Sequence, residues 1–326
     1  MQGPMEGSQR EETMKNRKYV LGLLVVVLVC VSAAMRAQAP RPQVTFTFQD
    51  VTISGAIEVD SYGINKNGAI TGDYILSDGT WHGFSCTLNR KGACAKVTNI
   101  DDPNGTKTQG YGINSSGEVV GYYLNSSGLT QGFLYKKGKY TDIGPTGETA
   151  TEANGISDDG YIVGDYTDSS GIEHGFLYNG TTYTTLDISG ASLSLCWGIQ
   201  CGRWRGRYGW WITLDCVNSS GTYDSYLTKD LGKTYTKIDV PGATDSYAHG
   251  VFFNNNVYGI VYTILDSSGV EDGVLYYGGK YYSFDDSKGT NTRADGVNDK
   301  LLIVGRYGAG PSGGNGGYGY EAITKK

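Results

Sequence analysis

The sequence predicts an all-β protein, a six-bladed β-propeller of four-stranded antiparallel blades whose N-terminal strand completes the last blade. Three observations carry the prediction. A Gly-Ile or Gly-Val signature recurs six times, at Gly63, Gly112, Gly155, Gly198, Gly250 and Gly296, with spacings of 49, 43, 43, 52 and 46 residues. That period lies in the range of propeller blades. Each copy breaks into short apolar-polar runs of strand length, separated by Asn, Asp, Ser and Gly clusters that favour turns. Glycine reaches 50 residues and tyrosine 26, while charged residues make up only 18%, a composition that suits many short strands and excludes a disordered chain.

The first 39 residues stand apart. Met14–Ala39 has a basic start (Lys15, Arg17, Lys18), an apolar run and a small-residue site, Ala-Gln-Ala, ending at Ala39. This reads as a secretory signal peptide over 1–39, with Met1 and Met14 as alternative starts. The competing reading is an uncleaved anchor, since the 17-residue run from Tyr19 to Met35 sits at the short edge for spanning a bilayer. Residues 40–45 form a short linker, and 46–326 a single propeller domain. No second apolar span follows, so a secreted, periplasmic or cell-surface location is expected. The formal net charge of -6 gives no pull toward nucleic acid.

The third copy shows the strand pattern in order. Ala150–Ser157 is the first run and Tyr161–Thr167 the second; Glu173–Tyr178 is the third and Thr182–Ile188 the fourth. A glycine inside the second run recurs at Gly72, Gly121, Gly164 and Gly305; it weakens a strand, so it marks a close approach by a neighbouring sheet or side chain. The last copy stops after its third run, Gly319–Thr324. The missing fourth run matches the stretch from Phe46, which reads like that from Lys233 at the end of the fourth copy, Asp50-Val51 falling on Asp239-Val240. Pairing the two ends closes the ring and removes open edges; an open β-solenoid or a double sandwich is the alternative. Gly308–Gly317 is a long Gly-rich loop in the last copy.

Five cysteines lie beyond the leader, and export permits disulfides. Cys86 and Cys94 flank a turn between the third and fourth runs of the first copy and are expected to pair. Cys201 and Cys216 bracket the second run of the fourth copy and form the other expected pair, which leaves Cys196 free or paired to another chain. No metal site is expected, because the histidines are scattered and no Cys-x2-Cys spacing exists. The Asp168, Asn218 and Asp266 turns carry too few carboxylates for a calcium loop.

The fourth copy departs most from its siblings. It packs Arg203, Trp204, Arg205, Arg207, Tyr208, Trp210 and Trp211 into nine residues. Guanidinium groups beside flat rings stack on ligands and anchor interfaces, so these seven are the expected ligand-binding residues. The alternative is that the aromatics plug a wider blade and the arginines face solvent. No catalytic signature is present: there is no GxSxG elbow, P-loop or HExxH. Asp73, Tyr122, Asp165 and Arg306 share one repeat position, and His82 and His174 another; such variation reads as tolerated scaffold. Paired with Glu173 or Asp165, His174 would instead form a site near the channel.

The repeat GINxxGxIVGxY, followed by His82-Gly83-Phe84 or His174-Gly175-Phe176 and by Tyr-Thr-x-Leu-Asp, resembles the bacterial HAF-type extracellular repeats, over roughly residues 46–324. The triplet becomes Gln131-Gly132-Phe133, Asp224-Ser225-Tyr226 and Asp272-Gly273-Val274 in other copies. The layout is also similar to kelch-like propellers, without their Gly-Gly doublet. The resemblance implies export and carries over neither catalytic residues nor a cofactor. Three functions follow: a secreted module that binds or displays toward an extracellular polysaccharide or envelope protein, without catalysis; a glycan lyase or hydrolase with its site at the channel mouth, which convergent His, Asp and Arg side chains would favour; or a purely structural surface protein.

Overall fold

The computed structural model describes residues 44–254, 257–308 and 318–325. The expected leader, most of the linker and the Gly-rich loop beyond Gly308 lie outside the described residues. Every described element is a strand. β1 (Thr45–Asp50) precedes the first repeat, which holds β2 (Ala56–Ile64), β3 (Ala69–Leu76), β4 (Trp81–Thr87) and β5 (Thr98–Asn99). The second holds β6 (Thr106–Ile113), β7 (Val119–Leu124), β8 (Thr130–Lys136) and β9 (Lys139–Ile143). The third holds β10 (Ala150–Ile156), β11 (Ile162–Thr167), β12 (Glu173–Tyr178) and β13 (Tyr183–Thr185). In the fourth are β14 (Leu193–Trp204), β15 (Arg207–Val217), β16 (Tyr223–Thr228) and β17 (Thr236–Lys237). In the fifth are β18 (Asp245–Asn254), β19 (Val257–Leu265), β20 (Glu271–Tyr277) and β21 (Lys280–Phe284), and in the last β22 (Asn291–Val297), β23 (Leu302–Gly308) and β24 (Tyr318–Lys325).

The structure corrects the expected architecture of six separate blades. Hydrogen bonding groups the strands into five sheets: four antiparallel blades of four strands each, from the second to fifth repeats, and one eight-stranded sheet. That large sheet runs β22-β23-β24-β2-β3-β4-β5. The first and last repeats fuse because β2 meets β24 through a parallel bridge, Val59↔Tyr318. β1 lies off this path, attached only to β24, with Thr45 opposite Lys325 and Asp50 opposite Tyr320. It is therefore an appendage of a shared sheet and not the closing strand of a sixth independent blade.

What joins the repeats is packing between faces. Apolar clusters fill the gap between each repeat and the next. Ile100, Ile113, Val119 and Phe133 lie between the first and second; Val59, Phe84 and Val304 lie between the last and first. The Phe of the Gly-Phe motif is fully buried at Phe84, Phe133 and Phe176, so this part of the triplet is a core signal. The recurrent Gly of the second run has a matching cause. A Cβ at Gly164 would lie 2.9 Å from the Phe176 ring and closer still to the Glu152 carbonyl oxygen of the paired strand; the approach comes from within the sheet.

The signature glycine is a separate constraint. A Cβ at Gly155 would stand 2.6 Å from the Trp197 carbonyl oxygen of the next repeat, and one at Gly296 2.6 Å from that of Tyr62. Gly63 abuts the Tyr111 carbonyl, Gly198 that of His249, and Gly112 the Asn154 carbonyl at 3.0 Å. The inner strands thus touch backbone to backbone around the axis. Asparagine side chains add to the contact: Asn298 Nδ2 donates to the Asn65 carbonyl (3.0 Å), and Asn65 Nδ2 to that of Asn114 (2.9 Å). The same Asn65 folds its own turn, its Oδ1 accepting from the Asn67 and Ala69 amides, a local bond that competes well with continued strand.

Cys86 and Cys94 form a disulfide. The expected Cys201–Cys216 bridge does not form: Cys196, Cys201 and Cys216 are free thiols. Register explains it. Cys201 faces Trp210 near the tip of the β14–β15 hairpin, whereas Cys216 faces Ser194 and Asp224 near its base. The two sit at opposite ends of the hairpin.

Replacing Gly155 with Ala forces a methyl group against the Trp197 carbonyl. It is expected to destabilise the fold by about 1–3 kcal/mol, the usual cost of overpacking. Urea unfolding of Gly155→Ala against wild type measures it; Gly160→Ala, with open space around its Cβ position but a left-handed backbone, serves as the turn control.

Candidate functional site

The first strand of every repeat carries a β-bulge. Pairing with the second strand skips between Ser61 and Gly63, Gly110 and Gly112, Ala153 and Gly155, Cys196 and Ile199, Ala248 and Val251, and Ala294 and Gly296. A bulge frees one residue from the ladder and re-aims its side chain. The residues released are Tyr62, Tyr111, Asn154, Trp197 with Gly198, His249 with Gly250, and Asp295, and all line one central cavity of about 160 Å³.

The aromatic members form its floor. Tyr62 meets Tyr111 edge-on with centroids 4.6 Å apart, Tyr111 meets Trp197 at 6.4 Å, and Trp197 meets His249 at 4.9 Å. Above them the turn residues Asn65, Ser115, Asp158 and Asp299, with Gln200 of β14, make a polar rim, and Phe253 forms an apolar wall. Across the rim Lys66 Nζ donates to Asp158 Oδ2 at 2.6 Å, while the Ser115 amide donates to Asp158 Oδ1 at 2.8 Å. Exposed pairs of this kind contribute little to stability.

Beneath the floor lie charges. Asp60 stands opposite Asp73, Glu152 opposite Asp165, and Arg293 opposite Arg306. Directly opposed like charges destabilise a sheet. Arg293 is neutralised from the side, donating through Nε and Nη2 to the Glu271 carboxylate at 2.6 Å each. Arg306 faces inward: its Nη1 donates to the Tyr62 hydroxyl at 3.3 Å, and its guanidinium lies 3.9 Å from Asp60 and 3.7 Å from Asp295. Burial opposes its charge, but Tyr62, Asp295 and Asp60 outweigh that and hold it protonated. Desolvation raises the carboxyls of Asp60, Asp73 and Asp165, the last two strongly, and lifts Glu152 to about 7, with the nearby Glu173 adding repulsion. His249 is pushed down by burial and is neutral at pH 7. Among the described residues no three His, Cys, Asp or Glu side chains come close enough to hold a metal ion.

The fourth-repeat residues divide by strand alternation. Arg205 and Gly206 both adopt positive φ, 48° and 83°, the geometry of a tight hairpin turn, and so extend β14 and β15 beyond the mouth. Trp211 is buried, packed on Tyr258 (4.6 Å) and Trp204 (5.2 Å), with the Lys229 ammonium 3.9 Å from its ring centre. Trp210 and Tyr208 lie on the opposite face, donating to Asp159 Oδ2 at 2.9 and 3.3 Å. Arg203, Arg205, Arg207 and Tyr208 are exposed. The hairpin therefore brings four of the seven expected residues to the surface and sets Trp204 and Trp211 into packing with the fifth repeat.

His174 does not meet Glu173 or Asp165. Its Nδ1 lies 2.8 Å from Asp187 and its Nε2 3.4 Å from Asp168, and its ring stacks on Tyr166. His82 repeats the arrangement with Asp101 and Tyr74. The Asp168 and Asp266 turn carboxylates are occupied by their own turns' backbone amides. Sequence reasoning missed the bulge ring. Its one signal was the residue before each Gly-Ile or Gly-Val, where the otherwise regular repeat varies through Tyr, Tyr, Asn, Trp, His and Asp.

No known family profile matches the chain, and no curated protein matches it. Solved structures do. A protein of unknown function from Dyadobacter fermentans overlays with a TM-score of 0.55 at 11% identity, covering 87% of this chain and 100% of the other. A putative TolB from Agrobacterium tumefaciens gives 0.54 at 12%, covering 87% and 99%. A looser overlay, 0.47 at 11% over 84% and 97%, reaches the Aleuria aurantia lectin solved with α-methyl-L-fucoside. At these identities the likeness is one of propeller fold.

The raised Glu152 carboxyl has a stability consequence. The folded state binds a proton that the unfolded state releases near its ordinary value, so stability falls as pH rises from about 4.5 through about 7. Glu152→Gln removes that titration. Its melting temperature is expected to exceed wild type above about pH 7 and to converge with it below about pH 4.5, read from thermal melts across pH.

Proposed function

We propose that the protein is an exported binding module that takes the end of a saccharide into the mouth of its central channel. The observation that carries this reading is the floor of Tyr62, Tyr111 and Trp197 beneath a rim of amide, hydroxyl and carboxylate groups. A sugar ring has one apolar face for an aromatic platform and a girdle of hydroxyls that both donate and accept, so it needs flat rings below and mixed polar groups around. The likeness of the repeat to HAF-type extracellular repeats and the leader-like N-terminus support a role outside the cytoplasm. The hairpin of the fourth repeat extends the site: Gln200 of β14 lines the cavity, and Arg203, Arg205, Arg207 and Tyr208 follow on the same hairpin. A longer chain leaving the mouth would run across them.

A second reading, glycan cleavage, has one specific observation behind it. Glu152, held near neutrality at about 7, stands directly opposite Asp165 on the paired strand, the kind of carboxyl pair that hydrolysis uses. The aromatic floor lies between these carboxyls and the cavity mouth, which favours binding over cleavage.

A glycan-array screen of wild type, Trp197→Ala and Tyr208→Ala tests both parts. Trp197→Ala is expected to weaken every hit by at least about tenfold, and Tyr208→Ala to weaken only the longer oligosaccharides. Hits that survive Trp197→Ala unchanged, or an array without hits, defeat the proposal. Release of reducing ends from a hit by wild type, but not by Glu152→Gln, would replace binding with cleavage.

A further inference from the structure

We propose that the saccharide is an acidic one, whose units beyond the channel mouth carry carboxylate or sulfate groups that pair with the fourth-repeat hairpin. This rests on the saccharide reading above and adds the charge of the ligand. The hairpin's length comes first. β14 and β15 run for 12 and 11 residues, the longest strands described, and they meet in the turn through Arg205 and Gly206. The cavity leads onto this extension. Gln200 of β14 and Phe253 both line it. The Phe253 ring also lies against the hairpin backbone, so close that a Cβ at Gly202 would stand 2.7 Å from it.

Beyond Gly202 the hairpin turns cationic. Arg203, Arg205 and Arg207 are exposed. Lys229, which follows β16, reaches the same end, its ammonium 3.9 Å from the centre of the Trp211 ring and 5.0 Å from that of Tyr258. Among the described residues no carboxylate lies at ion-pairing distance from Arg203, Arg207 or Lys229. Acidic residues beside them are engaged by neutral donors. Asp159 accepts from Trp210, Tyr208 and Ser157. Asp230, next to Lys229 in the chain, accepts from the Thr234 amide and from the Thr228 and Thr234 hydroxyls. The cations therefore meet as like charges, and Lys229 is drawn below the usual lysine range first by desolvation and then by the charge of Arg205. Like charges gathered at one end of a hairpin repel, and an anion laid among them converts that repulsion into attraction. Guanidinium groups suit the task, because their planar fork takes two oxygens of one anionic group. The Trp204 ring, 5.7 Å from the Arg205 guanidinium, adds a flat surface beside the charge. A neutral sugar would leave these cations unused.

Calorimetric titration of the full chain with paired oligosaccharides tests the inference: hexagalacturonate against its methyl ester for carboxylate, and a κ-carrageenan hexasaccharide against its desulfated form for sulfate. At least one acidic member is expected to bind about tenfold tighter than its neutral counterpart at low ionic strength, and to lose that advantage in about 0.5 M NaCl. Arg207→Gln and Lys229→Met, both at exposed positions, are each expected to weaken the acidic member about threefold, and together about tenfold, with the neutral one unchanged. Lys139→Gln, which removes the same charge from β9 of the second repeat, is expected to change neither. No acidic preference in either pair, affinity unchanged in the double variant, or an equal loss in Lys139→Gln would overturn the proposal. Neutral binding that depends on Trp197 would then leave the saccharide reading standing. Acidic binding that depends on Arg207 and Lys229 but survives Trp197→Ala upholds the charge preference and defeats the channel-mouth reading instead.

Discussion

The structure depends on backbone touching backbone at the axis. At the signature glycine of each repeat, the inner strand lies so close to the next that a β-carbon has no room. The β-bulge beside it follows from the same contact. A strand that must turn its glycine toward a neighbour slips one or two residues out of its ladder, and the residue before the glycine lines the channel. One steric demand thus both joins the repeats and builds the cavity wall. The Asn298–Asn65–Asn114 hydrogen bonds reinforce the ring where the turns meet, linking the last repeat to the first across 233 residues of sequence.

This division of labour explains why the channel is chemically rich while the rest is monotonous. The blades need similar things: an apolar residue in the middle of the third strand, a buried Phe in the first three repeats, small residues where strands cross, and Asx turns at the ends. The swung residue needs only to fit an open space, so five residue types occupy six equivalent positions. The opposed charges below them are costly to a sheet and stay tolerable because Glu271 clamps Arg293 and because Tyr62, Asp60 and Asp295 surround Arg306. The fourth repeat spends its extra residues differently, on a longer hairpin whose buried side is a Trp204–Trp211–Tyr258 stack.

Much of this was legible in the sequence. Repeat starts, strand lengths, turns and the Cys86–Cys94 bridge all rest on local signals: a glycine after Asn-Ser or Asp-Asp, an alternation over six residues, two cysteines flanking one turn. The Cys201–Cys216 pairing failed because bracketing a strand in sequence places its ends far apart in space, and only cross-strand register says which side chains face each other. Separate blades at both ends failed for a related reason. The Val59↔Tyr318 bridge that merges the first and last repeats joins residues 259 positions apart, and no local pattern records it. Asp215 matches Asp165 in register, opposite Leu195, yet the lengthened hairpin hid the correspondence.

By itself, then, the sequence determined the period and the all-β character, because those follow from turn chemistry and alternation within a few residues. Tertiary structure alone decided how strands divide into sheets, which thiols remain free and which side chains share the channel. Those outcomes hinge on contacts between repeats, where a displacement of one residue at a bulge determines whether a side chain is packed in the blade or set facing the axis.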